Sequence, residues 1–214
     1  MTKEEFEELI QAYWKKVQRE YAPYIAEGGI LANRDYYVFQ TKYKYQPELM
    51  IVGVNPGGNG SGHDGWLTQG INSYTEGDHP WFQTLRNAFD YPNNKDLAAL
   101  LDTCVGSNKY FVNTGSEKDV PKEIKSLATL LIRELIDIVC PKHILTLGCD
   151  VFCTIKNRPE QVKEFDMIKF KYSNRNGIPV GYIPNPSRIN LKCYTPEKMQ
   201  GWNKALEWFL VDKQ

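Results

Sequence analysis

The clearest pattern in the chain is a short, unbroken apolar run that stops abruptly at glycine and proline. Residues 49–52 are Leu, Met, Ile and Val, and Gly53-Val54-Asn55-Pro56-Gly57-Gly58 follows them. A continuous apolar run with β-branched members is typical of a strand buried on both faces, and the Gly/Pro break predicts the loop that leaves it. Ligands of open α/β sheets bind outside the carboxyl ends of strands, so this loop is the first place to look for chemistry.

Further apolar runs predict that strands and helices alternate along the chain. An aromatic segment at 35–45 is typical of a strand or hairpin. Thr2 and Glu5 have the spacing of a capping box, which predicts the start of the first helix. The expected strands are 49–54, 109–113, 143–147 and 178–183, and the expected helices are 3–26, 81–90, 95–102, 121–140, 149–157 and 196–211. This alternation favours an α/β fold: one domain over 1–214, with a central, mostly parallel, four-stranded sheet flanked by helices.

Charge and composition narrow the class of protein. Lys and Arg number 26, and so do Asp and Glu, so the formal net charge is zero. That argues against a protein held on nucleic acid by bulk charge, although a local basic face at 156–175 stays possible. The sequence contains no apolar run of membrane-spanning length and no signal-peptide pattern at its start. We therefore expect a cytoplasmic protein with reduced thiols, and a monomer, although no sequence feature fixes the oligomeric state.

Two groups of residues could be drawn as metal sites, and we expect neither to bind a metal. Cys149 and Cys153 lie four apart, but no second cluster completes a site, so two small buried residues on one helix face are the simpler interpretation. The Gly-rich stretch 57–80 has the length of a functional loop. It contains His63, Asp64, Asp78 and His79, residue types that in loops are mostly solvated or capping. We expect no metal and no cofactor.

Three of the predicted strands end in an asparagine: Asn55, Asn113 and Asn185. If these strands are parallel and adjacent, their carboxyl ends lie together and the three amides converge. A carboxamide offers one acceptor oxygen and two donor hydrogens, which suits it to reading a nucleobase edge or orienting a water molecule. Asparagine is also common in turns after strands, so each one taken alone has a structural explanation. Three together favour a binding site.

These residues resemble the motifs of the uracil-DNA glycosylase superfamily. Gly53-Val54-Asn55-Pro56-Gly57 is similar to the first motif, in the form used by the mismatch-specific and single-strand-selective branches. Asn185-Pro186-Ser187 is similar to the second motif, with Asn as in the mismatch-specific branch. Asn113 falls where a base-reading asparagine is expected, and Ile144-Leu145-Thr146-Leu147-Gly148 matches the strand–Gly pattern between the motifs. The resemblance covers roughly residues 48–208.

The resemblance implies a monofunctional DNA glycosylase, a hydrolase that cleaves the N-glycosidic bond of uracil or a related damaged base. The target nucleotide would be flipped out of single-stranded DNA or a mismatched duplex, because its glycosidic carbon is unreachable in the stack. Asn55 would hold the attacking water. Asn185, or a backbone N–H of its loop, would stabilise negative charge on the base oxygen. Asn113 would read the base edge and reject cytosine.

The resemblance also assigns residues around the base and the DNA. Tyr74 or Trp66 would stack on the base, although each could instead pack within the loop. Arg188 and Ile189 would enter the duplex where the base has left, although Arg188 could equally be a solvated turn residue. The full base-binding set is Asn113, Tyr74, Trp66, Gly53, Pro56 and Gly57, and the DNA-binding set is Ser187, Arg188 and Ile189. Basic residues of 156–175 would flank the mouth of the pocket and bind phosphates.

One departure from the family bears on mechanism. The classical branch has an acidic residue in its first motif, whereas this chain has Asn55, which cannot deprotonate water. The implied enzyme relies on positioning and electrostatics. A carboxylate at position 55 could accept a proton, so the sequence alone predicts that Asn55→Asp is at least as active as the parent. Two alternatives stay open: a non-catalytic nucleic-acid or nucleobase-binding protein on the same fold, and a hydrolase of free modified nucleosides.

Overall fold

The apolar run at 49–52 forms a central strand of a mixed sheet. The computed structural model describes residues 1–32, 34–56, 65–115 and 117–212, without the side chains of Arg188 and Ile189. Its strands are β1 Tyr37–Phe39, β2 Leu49–Gly53, β3 Trp66–Thr68, β4 Val105–Asn108, β5 His143–Leu147, β6 Gln161–Phe165, β7 Ile168–Arg175 and β8 Ile178–Ile183. Its α-helices are α1 Lys3–Ile25, α2 Ser73–Glu76, α3 Pro80–Ala88, α4 Lys95–Asp102, α5 Lys122–Val139, α6 Cys149–Ile155 and α7 Pro196–Glu207.

The sheet has the strand order β3-β1-β4-β2-β5-β8-β7-β6. Its four middle strands, β4, β2, β5 and β8, are mutually parallel, and Ile51 of β2 lies between Gly106 of β4 and Leu145 of β5. β1 and β7 run antiparallel to the neighbouring middle strands. The carboxyl ends of β4, β2, β5 and β8 consequently meet at one edge, as the sequence pattern predicts.

The two faces of the sheet bury separate cores. Met50 and Val52 pack into a cluster that contains apolar residues of α1, α5 and α6. Leu49 and Ile51 alternate with them and pack into a second cluster with residues of α3, α4 and α7. Burial of one such side chain contributes about 1.5–3 kcal/mol to stability, so helices on both faces hold the middle strands firmly in place. The site at their ends therefore sits on a rigid base.

The start of the chain confirms the capping prediction. The Thr2 hydroxyl accepts a hydrogen bond from the Glu5 backbone N–H at 3.2 Å, and the Glu5 carboxylate accepts one from the Thr2 backbone at 2.7 Å. The later helix predictions are confirmed within a few residues at each end, and α7 continues into a π-helical turn at Trp208–Asp212. Cys149 and Cys153 lie on α6 as expected, but both are exposed, so the expectation that they are buried is wrong. Within the part of the chain that the structure describes, no helix is both long and apolar enough to cross a membrane.

The fold class is confirmed as α/β with one central sheet, but two details of the prediction are wrong. The sheet has eight strands and is mixed, because the short strands β1 and β3 extend one edge and the hairpin β6–β7 extends the other. The strand expected at 109–113 lies at Val105–Asn108. Tyr110, Phe111 and Val112 are fully buried, yet their ladder contact is limited to one bridge between Tyr36 and Val112. The apolar run at 110–112 therefore reflects burial in the core, not a strand, and the segment that carries it is irregular.

Candidate functional site

A cavity of about 580 Å³ lies at the carboxyl ends of the middle strands. It extends beyond them to β1, β3 and the start of α3. Its described lining residues are Tyr37, Gln40, Gly53, Val54, Asn55, Gln69, Ser73, His79, Trp81, Phe82, Asn108, Thr114, Gly115, Asn185 and Ser187. The volume falls within the range of small-molecule binding sites, and the aromatic walls with a few polar groups are typical of them.

Asn55 is held at the end of β2 by its amide nitrogen. Nδ2 donates to the Thr114 carbonyl at 2.8 Å, to the Thr114 hydroxyl at 2.9 Å and to the Pro56 carbonyl at 3.0 Å. Three acceptors around one NH2 group fix which end of the amide is nitrogen. Among the described residues, none donates a hydrogen bond to Oδ1. Asn55 therefore lines the cavity with a free acceptor oxygen.

Asn108 ends β4 and is 2% exposed. Its Nδ2 is buried and has no hydrogen-bond partner among the described residues. A buried donor without a partner costs about 1–3 kcal/mol, a cost that a ligand oxygen can remove. Gly53 makes room for this side chain, because a Cβ built on Gly53 would lie 2.6 Å from Asn108 Oδ1. Glycine at the end of β2 thus allows two strand-end amides to lie side by side.

Asn185 follows β8 and is oriented by Trp81. The indole Nε1 donates to Asn185 Oδ1 at 2.7 Å. The oxygen is therefore occupied, and the described residues supply no acceptor for Nδ2. Asn185 thus differs from Asn55: it lines the cavity with free donor hydrogens, which are suited to a ligand oxygen that carries negative charge.

The loop that carries Asn185 is fixed by bonds to its backbone. The Asn185 carbonyl accepts from the Ser187 N–H at 2.7 Å and from Asn190 Nδ2 at 3.0 Å. The Tyr194 hydroxyl donates to the Pro184 carbonyl. Gly148, at the end of β5, has φ of 114°, a conformation that favours glycine, and a Cβ built on it would lie 3.4 Å from Val54 Cγ2 and 3.8 Å from Asn185 Cβ. The loop is held from both sides.

The start of α3 supplies the aromatic wall. His79 caps the helix, with its Nδ1 accepting the Trp81 N–H at 3.1 Å. Phe82 packs edge-on against Trp81, with ring centroids 4.9 Å apart and planes at 88°. Tyr74 stacks on Trp81 and lies edge-on to Phe82, each with ring centroids 6.1 Å apart, but Tyr74 is fully buried and does not line the cavity. Trp81 and Phe82 therefore provide the aromatic surface that the resemblance assigned to Tyr74 or Trp66.

Three uncharged polar side chains line the far end of the cavity, at the β1 edge. Burial raises the pKa of Tyr37 to about 12, against the effect of hydrogen bonding from Gln40 and Gln69, and the charge of Asp35 adds to the rise. The Gln40 amide oxygen accepts from the Tyr74 hydroxyl at 2.9 Å. The Tyr37 hydroxyl consequently stays protonated across the physiological pH range. This set was not predicted from the sequence.

The cavity is almost free of charge. Of the described residues that line it, none is lysine, arginine, aspartate or glutamate. Lys109, which follows the lining residue Asn108 in the sequence, contacts Asp150 at 2.5 Å and lines a separate groove. The prediction that the lysines and arginines of 156–175 flank the cavity finds no support, because none of them contributes to its lining.

The structure brings together most, but not all, of the residues assigned from the sequence. Asn55, Asn185, Gly53 and Ser187 line the cavity. Asn113 does not, because the segment after β4 turns so that its backbone N–H donates to the Asp35 carbonyl. Asn108, the residue that ends β4, lines the cavity where Asn113 was expected.

The other residues assigned from the sequence either lie away from the cavity lining or fall outside the described residues. Trp66 lies on edge strand β3 and is 44% exposed, outside the cavity lining. Pro56 is not a lining residue, although its carbonyl helps to hold Asn55. Gly57, His63 and Asp64 lie outside the described residues, as do the side chains of Arg188 and Ile189.

Sequence reasoning missed Asn108, Trp81 and Thr114. Asn108 follows Val-Gly-Ser, which has weak strand propensity and hides the strand. Thr114 has no motif of its own, since its role depends on a contact with Asn55 across 59 positions. Trp81 had a detectable signal, because His79-Pro80-Trp81 has the form of a helix start beside the loop after β2.

Comparison with models of known protein families gives no match for this chain, and comparison with curated protein sequences gives none either.

Proposed function

We propose that this protein is a DNA glycosylase of the uracil-DNA glycosylase type, which hydrolyses the N-glycosidic bond of uracil or a related damaged base. The observation that carries the proposal is the complementary orientation of three strand-end amides in one uncharged cavity. Asn55 offers an acceptor, while Asn108 and Asn185 offer donors.

The free Oδ1 of Asn55 suits a water-positioning residue. A water molecule attacking the sugar must direct a lone pair at the glycosidic carbon, so one of its hydrogens is best held by a fixed acceptor. Asn55 cannot rotate to offer nitrogen instead, because Thr114 and Pro56 bind its NH2 group. Its contribution is therefore positioning, and the sugar's own developing positive charge drives the departure of the base.

The unpartnered Nδ2 of Asn108 suits base recognition. Uracil presents a carbonyl oxygen where cytosine presents an amino group. A ligand carbonyl would give the buried Nδ2 its missing partner, whereas an amino group would leave two donors facing each other. Asn108 thereby takes the discriminating role that the resemblance assigned to Asn113.

Asn185 is placed to stabilise the leaving base. When the glycosidic bond breaks, negative charge develops on the base oxygens, and a preorganised donor lowers the barrier to that step. The bond from Trp81 keeps the Asn185 oxygen occupied, so its NH2 group is the part presented to the cavity. Trp81 and Phe82 supply an apolar surface for the base to stack on.

A second candidate function is hydrolysis of free modified nucleosides, and the uncharged lining favours it. Phosphate contacts usually require lysine or arginine, and the described lining contains neither. In this case the same amides would act on a nucleoside without a DNA backbone.

The deciding experiment measures base release from matched substrates. The parent protein is incubated with uracil-containing oligonucleotide, single-stranded or paired opposite guanine, and with free deoxyuridine. Abasic sites are detected by gel cleavage and released uracil by chromatography. We expect excision from oligonucleotide and little from the nucleoside, with Asn55→Ala at least about a hundredfold slower under single-turnover conditions and with little loss of binding.

The other outcomes are equally informative. Release from the nucleoside alone would replace DNA repair with nucleoside hydrolysis. Binding of oligonucleotide without release would identify a nucleobase-binding protein. If Asn55→Ala excises at the parent's rate, Asn55 is a turn residue and the mechanism is wrong.

A further inference from the structure

The cavity is longer than the recognition of one pyrimidine edge requires. Asn55 and Asn108 follow the adjacent strands β2 and β4, so a sugar at Asn55 and a base at Asn108 occupy two strand positions. The lining continues past Asn108 to Tyr37 and Gln40, at β1, and to Gln69, after β3. Since neighbouring strands lie about 4.8 Å apart, roughly 5–10 Å of cavity remains beyond the base-reading amide.

The far end of the cavity is held in place by backbone bonds to the sheet. The Gln40 N–H donates to the Gly106 carbonyl at 2.9 Å, and the Gln69 N–H donates to the Phe39 carbonyl at 3.2 Å. Gly106 has no side chain, and the Tyr74 ring occupies the space where a Cβ would lie 2.6 Å from it. The Tyr74 hydroxyl in turn binds the Gln40 amide oxygen. These groups form a built wall, not loose surface side chains.

Hydrogen-bond donors are in excess on this wall. Gln40 has used its oxygen on Tyr74 and keeps its NH2 group. Gln69 has an NH2 group and an oxygen, and Tyr37 has one hydroxyl, whose pKa the two nearby glutamine amides lower against the larger effect of burial. Two NH2 groups and a hydroxyl hydrogen thus face two remaining acceptors, so a ligand that balances the set supplies acceptor oxygen. The described lining residues include no lysine, arginine, aspartate or glutamate to pair with an ionic group, which favours a neutral one.

We infer that Tyr37, Gln40 and Gln69 form a second recognition subsite, which binds a neutral oxygen-bearing group that the base carries beyond the edge contacted by Asn108. This inference rests on the proposed function in placing the sugar at Asn55. The shared chemistry is a hydroxyl or carbonyl oxygen. It can come from a substituent on a pyrimidine ring or from the oxo group of a deaminated purine, whose second ring adds the required length.

The test uses pairs of free bases of similar shape in which only one member carries this oxygen. 5-Hydroxymethyluracil is compared with 5-ethyluracil, and hypoxanthine with purine, by isothermal titration and by quenching of tryptophan fluorescence. For the parent, we expect the oxygen-bearing member of at least one pair to bind about tenfold tighter, the effect of one good hydrogen bond. The pair that shows the preference identifies the source of the oxygen.

Three variants locate the effect. Tyr37→Phe removes the hydroxyl alone and Gln69→Leu removes the amide, and each should reduce the preference to less than about threefold. Tyr13→Phe is the matched control, because its buried hydroxyl donates to the Leu131 carbonyl at 2.7 Å, outside the cavity lining. It should lose stability and keep the preference.

The subsite and the proposed function fail in different ways. Equal binding of both members of each pair, no binding of any base, or a preference that survives in both Tyr37→Phe and Gln69→Leu would overturn the subsite, even if the parent excises uracil. A preference that depends on Tyr37, in a protein that releases no base from oligonucleotide or nucleoside, would support the subsite and overturn glycosylase activity.

Discussion

The cavity and the β6–β7 edge of the sheet use polar side chains in opposite ways. At the edge, Glu160 pairs with Lys156 and Lys171, each at 3.2 Å, and Lys169 pairs with Glu164 at 3.2 Å. In the cavity, the polar groups are amides, and Asn108 keeps a buried donor without a partner. Exposed ion pairs contribute about 0–1 kcal/mol, whereas one unsatisfied buried donor costs about 1–3 kcal/mol.

The difference shows where a ligand gains binding energy. These exposed charges beside and on the hairpin already have partners, so a ligand there would have to break existing contacts. The cavity amides are held firmly at one end and open at the other, as Asn55 and Asn185 show. Amide groups with unused hydrogen-bonding capacity thus meet in a cavity whose described lining contains no lysine, arginine, aspartate or glutamate.

The largest expected effect comes from Asn55→Asp. A carboxylate would face the carbonyl oxygens of Thr114 and Pro56, which now accept from Nδ2. We therefore expect a rate loss of at least about a hundredfold, as for Asn55→Ala, which reverses the prediction made from the sequence. Single-turnover excision measures it. Asn203→Asp is the control, because Asn203 Nδ2 also donates to two carbonyls, at 2.9 and 2.7 Å, outside the cavity lining. An active Asn55→Asp would show that the Thr114 bonds do not constrain the site.

A smaller effect is expected from Trp81→Phe. The change keeps an aromatic wall but removes the bond to Asn185, so the amide can rotate and present its oxygen to the base. We expect excision to slow by about tenfold, the value of one hydrogen bond, with the melting temperature little changed. Trp202→Phe removes an equivalent indole bond, to the Cys193 carbonyl at 2.7 Å, and should leave the rate unchanged. If both variants slow excision equally, the loss in Trp81→Phe does not come from the orientation of Asn185.

The hairpin lysines should hardly affect binding of oligonucleotide. Replacing both Lys169 and Lys171 by Gln removes charges that are already paired with Glu164 and Glu160. Affinity should change less than about twofold, and the slope of log affinity against log salt should stay the same. Arg188→Gln, at the position implied to enter the duplex, should reduce that slope by about one. If the salt slope falls in the lysine variant, the hairpin lysines do bind DNA phosphates.

The smallest effect concerns acid stability at Glu160. Hydrogen bonds from Lys156 and Lys171 lower the pKa of this carboxyl below its usual range. A carboxyl with a lowered folded-state pKa stabilises the protein above the unfolded pKa of about 4.3, and this stability is lost as pH falls through the folded value. Glu160→Gln should melt slightly below the parent at neutral pH and together with it in strong acid. Melting curves across pH measure this, and a gap that widens in acid would contradict the sign.

The sequence was sufficient for the parts of the fold that local patterns control. The apolar run at 49–52 and Thr2 with Glu5 were interpreted correctly, because burial on both faces and helix capping leave local signals. The segment after Cys104 was not, because Gly106 and Ser107 are selected by long-range contacts: Gly106 makes room for Tyr74, and the Ser107 hydroxyl donates to the Val38 carbonyl. The β6–β7 hairpin was missed because charged residues conceal its alternation.

In the candidate site, too, residues with a local sequence signal were predicted and residues that depend on long-range contacts were not. Asn55 and Asn185 were predicted because they end strands whose apolar cores are easy to recognise. Asn113 was chosen instead of Asn108 because the strand was predicted at 109–113 and lies at Val105–Asn108. Trp81 and Thr114 act through side-chain bonds to residues 104 and 59 positions away, and nothing in their neighbouring residues indicates such partners.

The length of the segment from Asn108 to Thr114 is fixed by contacts at both of its ends. The segment begins with Asn108, whose amide lines the cavity, and ends with Thr114, which binds the amide of Asn55. Between them, backbone N–H groups at Lys109 and Tyr110 bind carbonyls that continue β2, and the N–H of Asn113 binds the carbonyl of Asp35. An insertion or deletion of one residue here would break this register and separate the two amides. Surface connections usually tolerate such changes, whereas among relatives that share this chemistry, the spacing between these two positions should be constant.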